Sequence, residues 1–185
     1  MAGIHLLDKE TGEYNIPFIQ RVLPGREMAV INLAYRTQGL MFVAGNPKEI
    51  KCLADLCRPD VTFVNRQKGS GTRVLLDIQF KREGIDSHRI RGYTAELDTH
   101  LAIASSVARG KADSGLGIEA AARSCGLGFL PLFRERFDLV IPGPVYKSNK
   151  LSLLLRIMSS AEFKKIVGAV EGYDVSQTGT LTFVT

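Results

Sequence analysis

Apolar and polar positions alternate in two rhythms along the chain, and the frequent change from one to the other predicts an α/β layer architecture. Short runs rich in β-branched and aromatic residues lie at 28–35, 40–43, 61–64, 139–141 and 181–184. Most are bounded by Gly, Pro, Asn or Asp, as buried strands are. Helical spacing appears at 49–57 through Ile50, Leu53 and Leu56, at 72–83 closed by Gly84, and at 98–109 closed by Gly110. Two more helices follow at 119–125, closed by Gly126, and at 162–170. A glycine just past the last periodic residue can adopt the left-handed conformation that ends a helix. The last helix carries a stripe of Phe163, Ile166, Val167 and Val170, with Ser159 at capping-box distance from Glu162. Residues 4–8 open the chain with strand-like apolar positions.

Composition narrows the class. A length of 185 residues with 45% hydrophobic and 23% charged positions suits one domain or two small lobes and excludes collagen, coiled coil and disordered tail. The net charge of +5 weakly suits an anionic partner, but basic residues are interleaved with acidic ones, as in Lys81-Arg82-Glu83 and Arg134-Glu135-Arg136. That scatter is a solvated surface, and with no helix-turn-helix evident, no direct nucleic-acid contact is expected. Cys52, Cys57 and Cys125 form no C-x-x-C pair and have no histidine at metal spacing, so neither a disulfide framework nor a metal site is expected. No apolar run approaches the roughly 20 residues of a membrane helix. The opening Met1-Ala2-Gly3-Ile4-His5 lacks the pattern of a signal peptide, and a cytoplasmic location is expected.

The most informative chemistry lies at 61–77, where a β-branched and aromatic strand runs through Asn65-Arg66-Gln67-Lys68-Gly69-Ser70-Gly71 into a helix opening at Thr72-Arg73. Such a turn can cradle an anion, because the first N–H groups of the helix have no intrahelical acceptor and its dipole adds partial positive charge. Ser70 and Thr72 supply hydroxyls, and Arg66, Lys68 and Arg73 supply charge. The same residues also fit a plain helix cap with turn glycines. No Gly-x-x-x-x-Gly-Lys-Ser/Thr loop occurs, so nucleotide hydrolysis has no motif here. The stretch from Gly115 to Ala120 fits a loose Gly-x-Gly-x-x-Ala pattern, but the polar residues ahead of it lack a dinucleotide fold's first strand. Ser114 and Gly115 can instead offer backbone N–H groups to a ligand. His5, His88 and His100 pair with no metal or nucleophile motif. His100 is read as packed or capping, and His5 as a structural partner of Asp8. No carboxylate pair stands out, so no enzyme activity is expected.

The run Asn65-Arg66-Gln67-x-Gly69-Ser70-Gly71-Thr72-Arg73-x-Leu75-Leu76-Asp77 resembles the periplasmic-binding-protein-like domain related to molybdate- and tungstate-binding proteins. The resemblance continues in order through 2–8, 12–15, 38–40, 45–47, 99–102, 110–118 and 135–139. It implies a type 2 α/β fold of two lobes about a hinge, with crossover strands near 34–43 and 137–142 and a ligand gripped between the lobes. Lobe 1 would comprise 1–42 plus 137–185, and lobe 2 would comprise 43–136. The implied ligand-binding residues are Arg66, Gly69, Ser70, Gly71, Thr72 and Arg73, with Ser114 and Gly115 at a neighbouring strand end. Arg73→Glu would then abolish binding with the fold intact. Members of this family ordinarily begin with a strand, helix, strand and helix bearing a Gly-Ser motif. Nothing ahead of Met1 matches that opening, so the first lobe is expected to be N-terminally truncated, and its open sheet edge predicts a homodimer.

The expected ligand is a tetrahedral oxyanion, with no other cofactor. Molybdate, tungstate and sulfate only accept hydrogen bonds, whereas phosphate near neutral pH keeps a proton and favours a site with an acceptor carboxylate. The turn at 69–73 has donors and no carboxylate of its own, which favours the first three. The domain would sense that anion and report to a helix-turn-helix (transcription) or molybdopterin-biosynthesis partner. The alternative is an extracytoplasmic receptor of an ABC-type transporter.

Overall fold

The computed structural model describes all 185 residues. In chain order the elements are β1 (Ala2–Ile4), α1 (Ile16–Val22), β2 (Met28–Phe42), β3 (Phe63–Arg66), α2 (Gly71–Glu83), β4 (Glu96–Leu97), α3 (His100–Ala108) and β5 (Ser114–Ile118). They continue with α4 (Glu119–Ser124), β6 (Gly128–Pro142), α5 (Gly143–Lys147), α6 (Ser152–Ser159), α7 (Ala161–Gly168), β7 (Tyr173–Asp174) and β8 (Leu181–Val184). The chain forms two compact units, Met1–Arg36 with Arg134–Thr185, and Thr37–Phe133. It passes between them along β2 and β6, so the divisions fall at 36/37 and 133/134 where the sequence suggested 42/43 and 136/137.

The unit Thr37–Phe133 is a three-layer sandwich. β5 runs antiparallel to the end of β2, from Gln38↔Ile118 to Phe42↔Ser114, and parallel to β3, with Phe63↔Ser114 and Val64↔Gly115. β4 lies parallel to β3 on its other side. Because successive strand residues face opposite ways, Leu40, Phe63 and Leu116 pack with Leu76 and Phe80 of α2, while Met41 and Val64 pack with Ile103, Ala104 and Val107 of α3. The continuous apolar runs of the sequence are therefore strands covered on both faces.

Two runs expected as separate strands, 28–35 and 40–43, are one strand. Gly39 does not break it but stays in the ladder opposite Gly117. A Cβ there would sit 2.0 Å from the Leu130 carbonyl oxygen, so the glycine serves a close backbone approach. The helix expected at 49–57 is reduced to a 3-10 turn at Leu53–Cys57. Asn46 and Glu49 have positive φ, and the Asp55 carboxylate accepts the N–H groups of Lys51 and Cys52, which starts the turn late. The cap of α7 is Ser160, whose hydroxyl accepts from Phe163 N–H at 3.1 Å, rather than Ser159.

In the other unit, β1 pairs with β6, and β7 and β8 pair with β2. Its sheet also has two covered faces, Met28, Val30 and Val140 on one and Ala29, Ile31 and Ile141 on the other. Buried carboxylates tie its segments together. Asp138 accepts from Asn15, Asn32 and Arg136 at 2.8–3.0 Å. Glu135, 1% exposed, accepts from Arg36 and stands 2.9 Å from His5 Nδ1. Burial pushes its carboxyl upward, but His5 and Arg36 more than offset this and hold it below the usual carboxylate range. The expected His5–Asp8 pair is not formed, because His5 at the end of β1 faces Glu135 on β6 instead.

Asp8 is held by the N–H groups of Thr11 and Glu10 and by Arg21 at 2.8 Å. With the Thr11 N–H foremost, its carboxyl is lowered to about 2. A depressed folded-state pKa contributes stability above the unfolded value of about 4 that is lost as pH falls towards the folded one. Acid unfolding followed by circular dichroism is therefore expected to show stability declining from about pH 4 to about pH 2. Asp8→Asn should flatten that slope, and an unchanged slope would remove Asp8 from the account.

Candidate anion site at the second helix

β3, β4 and β5 are parallel, so their carboxyl ends share one edge of their sheet, and α2 and α3 both begin there. That edge of an open α/β sheet is where helix N-termini converge on a ligand. The turn after β3 is shaped by Gly69, whose φ of +89° is in the region few other residues adopt, and by Ser70, whose hydroxyl caps α2 by accepting from Arg73 N–H at 3.2 Å. Capping at the third residue leaves the N–H groups of Gly71 and Thr72 without an intrahelical acceptor. Thr72 is 1% exposed, and its hydroxyl has no hydrogen-bond partner. A buried unpaired hydroxyl costs about 1–3 kcal/mol, and here it sits in the first turn of a 13-residue helix.

The basic side chains of the turn divide. Lys68 is exposed. Arg66 leans towards α3, donating to the Asp98 carbonyl at 2.8 Å and to Gln67 at 3.2 Å. Arg73 turns away into protein: Nε meets Asp77 at 3.0 Å, Nη1 meets Glu96 at 2.8 Å, and the guanidinium lies 4.2 Å over the Tyr93 ring. With only 8% of its side chain exposed, Arg73 is a strut between α2 and β4 whose charge is already matched. The sequence placed it among the anion ligands because spacing cannot show that Asp77, one turn on, and Glu96, 23 residues on, reach it.

Glu96 corrects a second expectation. The turn has no carboxylate of its own, but Glu96 of β4 reaches it, accepting the Lys68 N–H at 3.1 Å as well as Arg73. The Lys68 N–H foremost, then Arg73, holds its carboxyl below the usual range against the opposing effect of desolvation.

Ser114 and Gly115 lie elsewhere than expected. They begin β5, level with Phe63 and Val64, so Ser114 is three residues, or about 10 Å, back from Arg66 along the strands. Gly115 is small for packing: a Cβ there would sit 2.4 Å from Ile103 Cγ2. Gly115 is thus explained by the close seat of α3, and Gly117 first by Met41 of β2, whose Cε would stand 2.2 Å from a Cβ there. His100, read from the sequence as packed or capping, is the first residue of α3, and its Nδ1 would stand 3.1 Å from a Cβ on Gly117 near the carboxyl end of β5. The cap of α3 is Thr99, which accepts from Ala102 N–H at 3.0 Å.

Comparisons with known proteins agree with this architecture. A family model described as a PBP superfamily domain matches residues 1–159. YvgK of Bacillus subtilis (strain 168) is 38% identical over 187 residues, a match covering 100% of this chain and 59% of that protein, so the chain spans less than two thirds of this relative. Among solved structures, PEB3 of Campylobacter jejuni bound to L-phospholactate superposes with a TM-score of 0.54 at 19% identity, over 78% of this chain and 68% of that one. The regulatory domain of CcmR from Synechocystis PCC6803, in complex with 2-PG, gives 0.56 at 18% identity, over 75% and 70%. At such identities the likeness is one of fold.

Proposed function

We propose that the chain, which belongs to the PBP superfamily domain family and has the type 2 periplasmic-binding-protein α/β fold, binds a small ligand through a tetrahedral oxyanion at the N-terminus of α2. The observation that carries this is the buried Thr72 hydroxyl without a partner, in the same turn as two N–H groups that the helix cannot satisfy. All three are donors or can donate, so an acceptor-only oxygen cluster completes them at once. Arg66 and Lys68 add positive charge, whereas Arg73 acts only by fixing the turn.

The presence of Glu96 removes the argument that ranked phosphate below the other anions, because a carboxylate kept ionised can accept the proton of a monoprotonated phosphate. The ligand class is therefore a tetrahedral oxyanion, inorganic or as a phosphate group. In its finer form the ligand is molybdate or tungstate, and the chain senses it for a larger regulatory or molybdenum-cofactor protein. The resemblance carried by the motif at 65–77 supports that anion, and CcmR, a regulatory domain of the same fold, supports the sensing role alone.

The test is a thermal-shift titration with molybdate, tungstate, sulfate, phosphate and L-phospholactate. At 100 times its dissociation constant a ligand adds about 2.7 kcal/mol, which moves the midpoint by about 5–11 °C in a chain of this size. Gly71→Pro removes one N–H from the site, and Ser70 at φ −68° and ψ 147° is already in the conformation that precedes proline. It should keep the ligand-free midpoint and weaken the anion about tenfold. No shift with any of the five overturns the reading.

A further inference from the structure

The apolar stripe of the last helix is only partly covered, since Phe163 packs against the core cluster of Ala29, Ile31, Ile141 and Met158 while Ile166 and Val170 face outward. α7 contains no buried residue, and Ile166 is 62% and Val170 37% exposed. Beside it, across the single linker Ser160, α6 exposes Leu153 at 58% and Ile157 at 48%. An eight-residue helix is marginal by itself, and helical stability in proteins comes mainly from covering an apolar face. Between the two helices lies a groove of about 450 Å³ with Ile157, Phe163 and Ile166 in its lining and one charge of each sign, Arg156 from α6 and Glu162 from α7. Neither charge enters an ion pair within the chain.

We infer that this α6–α7 face pairs with the same face of a second copy of the chain. A two-fold interface must be complementary to itself, so each charge on it needs its opposite on the same patch. An apolar centre with one unpaired arginine and one unpaired glutamate meets that condition: rotation by 180° sets Arg156 of one copy against Glu162 of the partner subunit, twice. A uniformly basic or acidic rim would instead repel a second copy and select a foreign partner. Self-association is thereby placed on a helix face rather than on the strand edge from which the sequence predicted it.

Sedimentation velocity across about 1 to 100 μM tests the inference on the whole chain. The wild type should move from monomer to dimer with concentration. Ile166→Asp, at an exposed position where the fold tolerates it, should remain monomeric with an unchanged circular dichroism spectrum. Arg156→Glu and Glu162→Arg should each raise the dissociation constant about tenfold, since each repeats its like-charge clash across the two-fold axis. The double swap should restore dimerisation, which a merely structural role for either residue would not produce. A monomer at every concentration overturns the inference, because the face then awaits another occupant, and so does a dimer that Ile166→Asp leaves intact.

Discussion

Arg73→Glu should destabilise the unit Thr37–Phe133 by about 3 kcal/mol or more, rather than empty a binding site in an intact fold. In the native chain one buried guanidinium serves Asp77, Glu96 and the face of Tyr93. Replacing it with a carboxylate leaves Asp77 and Glu96 without their cation and puts a third negative charge between them. The Tyr93 hydroxyl also donates to Asp77, so the damage spreads to the loop ahead of β4. At this chain length the loss corresponds to a fall of about 6–12 °C in the unfolding midpoint. Arg73→Lys should fall between, because a point charge can meet one carboxylate but not fork to both. A midpoint for Arg73→Glu within a degree or two of wild type, together with lost anion binding, would return Arg73 to the list of direct ligands.

Thr72→Val should have two effects of opposite sign. The substitution nearly conserves shape and removes a hydroxyl that is buried and unpartnered, so the ligand-free chain should gain about 1 kcal/mol, or about 2–4 °C in midpoint. If that hydroxyl meets an oxyanion, the same change should weaken binding about tenfold. A structural role predicts the reverse, since losing a made hydrogen bond lowers stability and leaves affinity alone. Measuring both on one variant therefore separates the readings, and a destabilised Thr72→Val with wild-type affinity would sink the assignment.

The pattern of the chain shows the α/β class because strands covered on both faces leave continuous apolar runs, and because Gly84, Gly110 and Gly126 follow the helices they stop. It also marks the turn proposed to bind, since a strand, a glycine-containing turn and an amphipathic helix are all local signals. What it does not show is non-local. The division of labour among the basic residues depends on Glu96 reaching back to Lys68 and Arg73, a contact no spacing rule encodes. Gly115 and Gly117 look the same in a sequence whether they admit a phosphate or a neighbouring side chain, and Ile103 of α3 and Met41 of β2 decide for packing. Ser114 was assigned to the site because the direction of β5 relative to β3 was unknown. The parallel register sets it at the far end of the strand. The stripe of α7 was legible as amphipathic, but only the structure shows that Phe163 packs inward while Ile166 and Val170 stay exposed.

The first turn of α2 is the proposed seat of the oxyanion. The most direct test follows backbone amide resonances by NMR while the anion that moves the thermal midpoint is added. The Gly71 and Thr72 amides should shift furthest and saturate together at the dissociation constant found by calorimetry, because their N–H groups would gain charge-assisted acceptors. Saturable shifts that leave these two amides unmoved and cluster elsewhere would contradict the account.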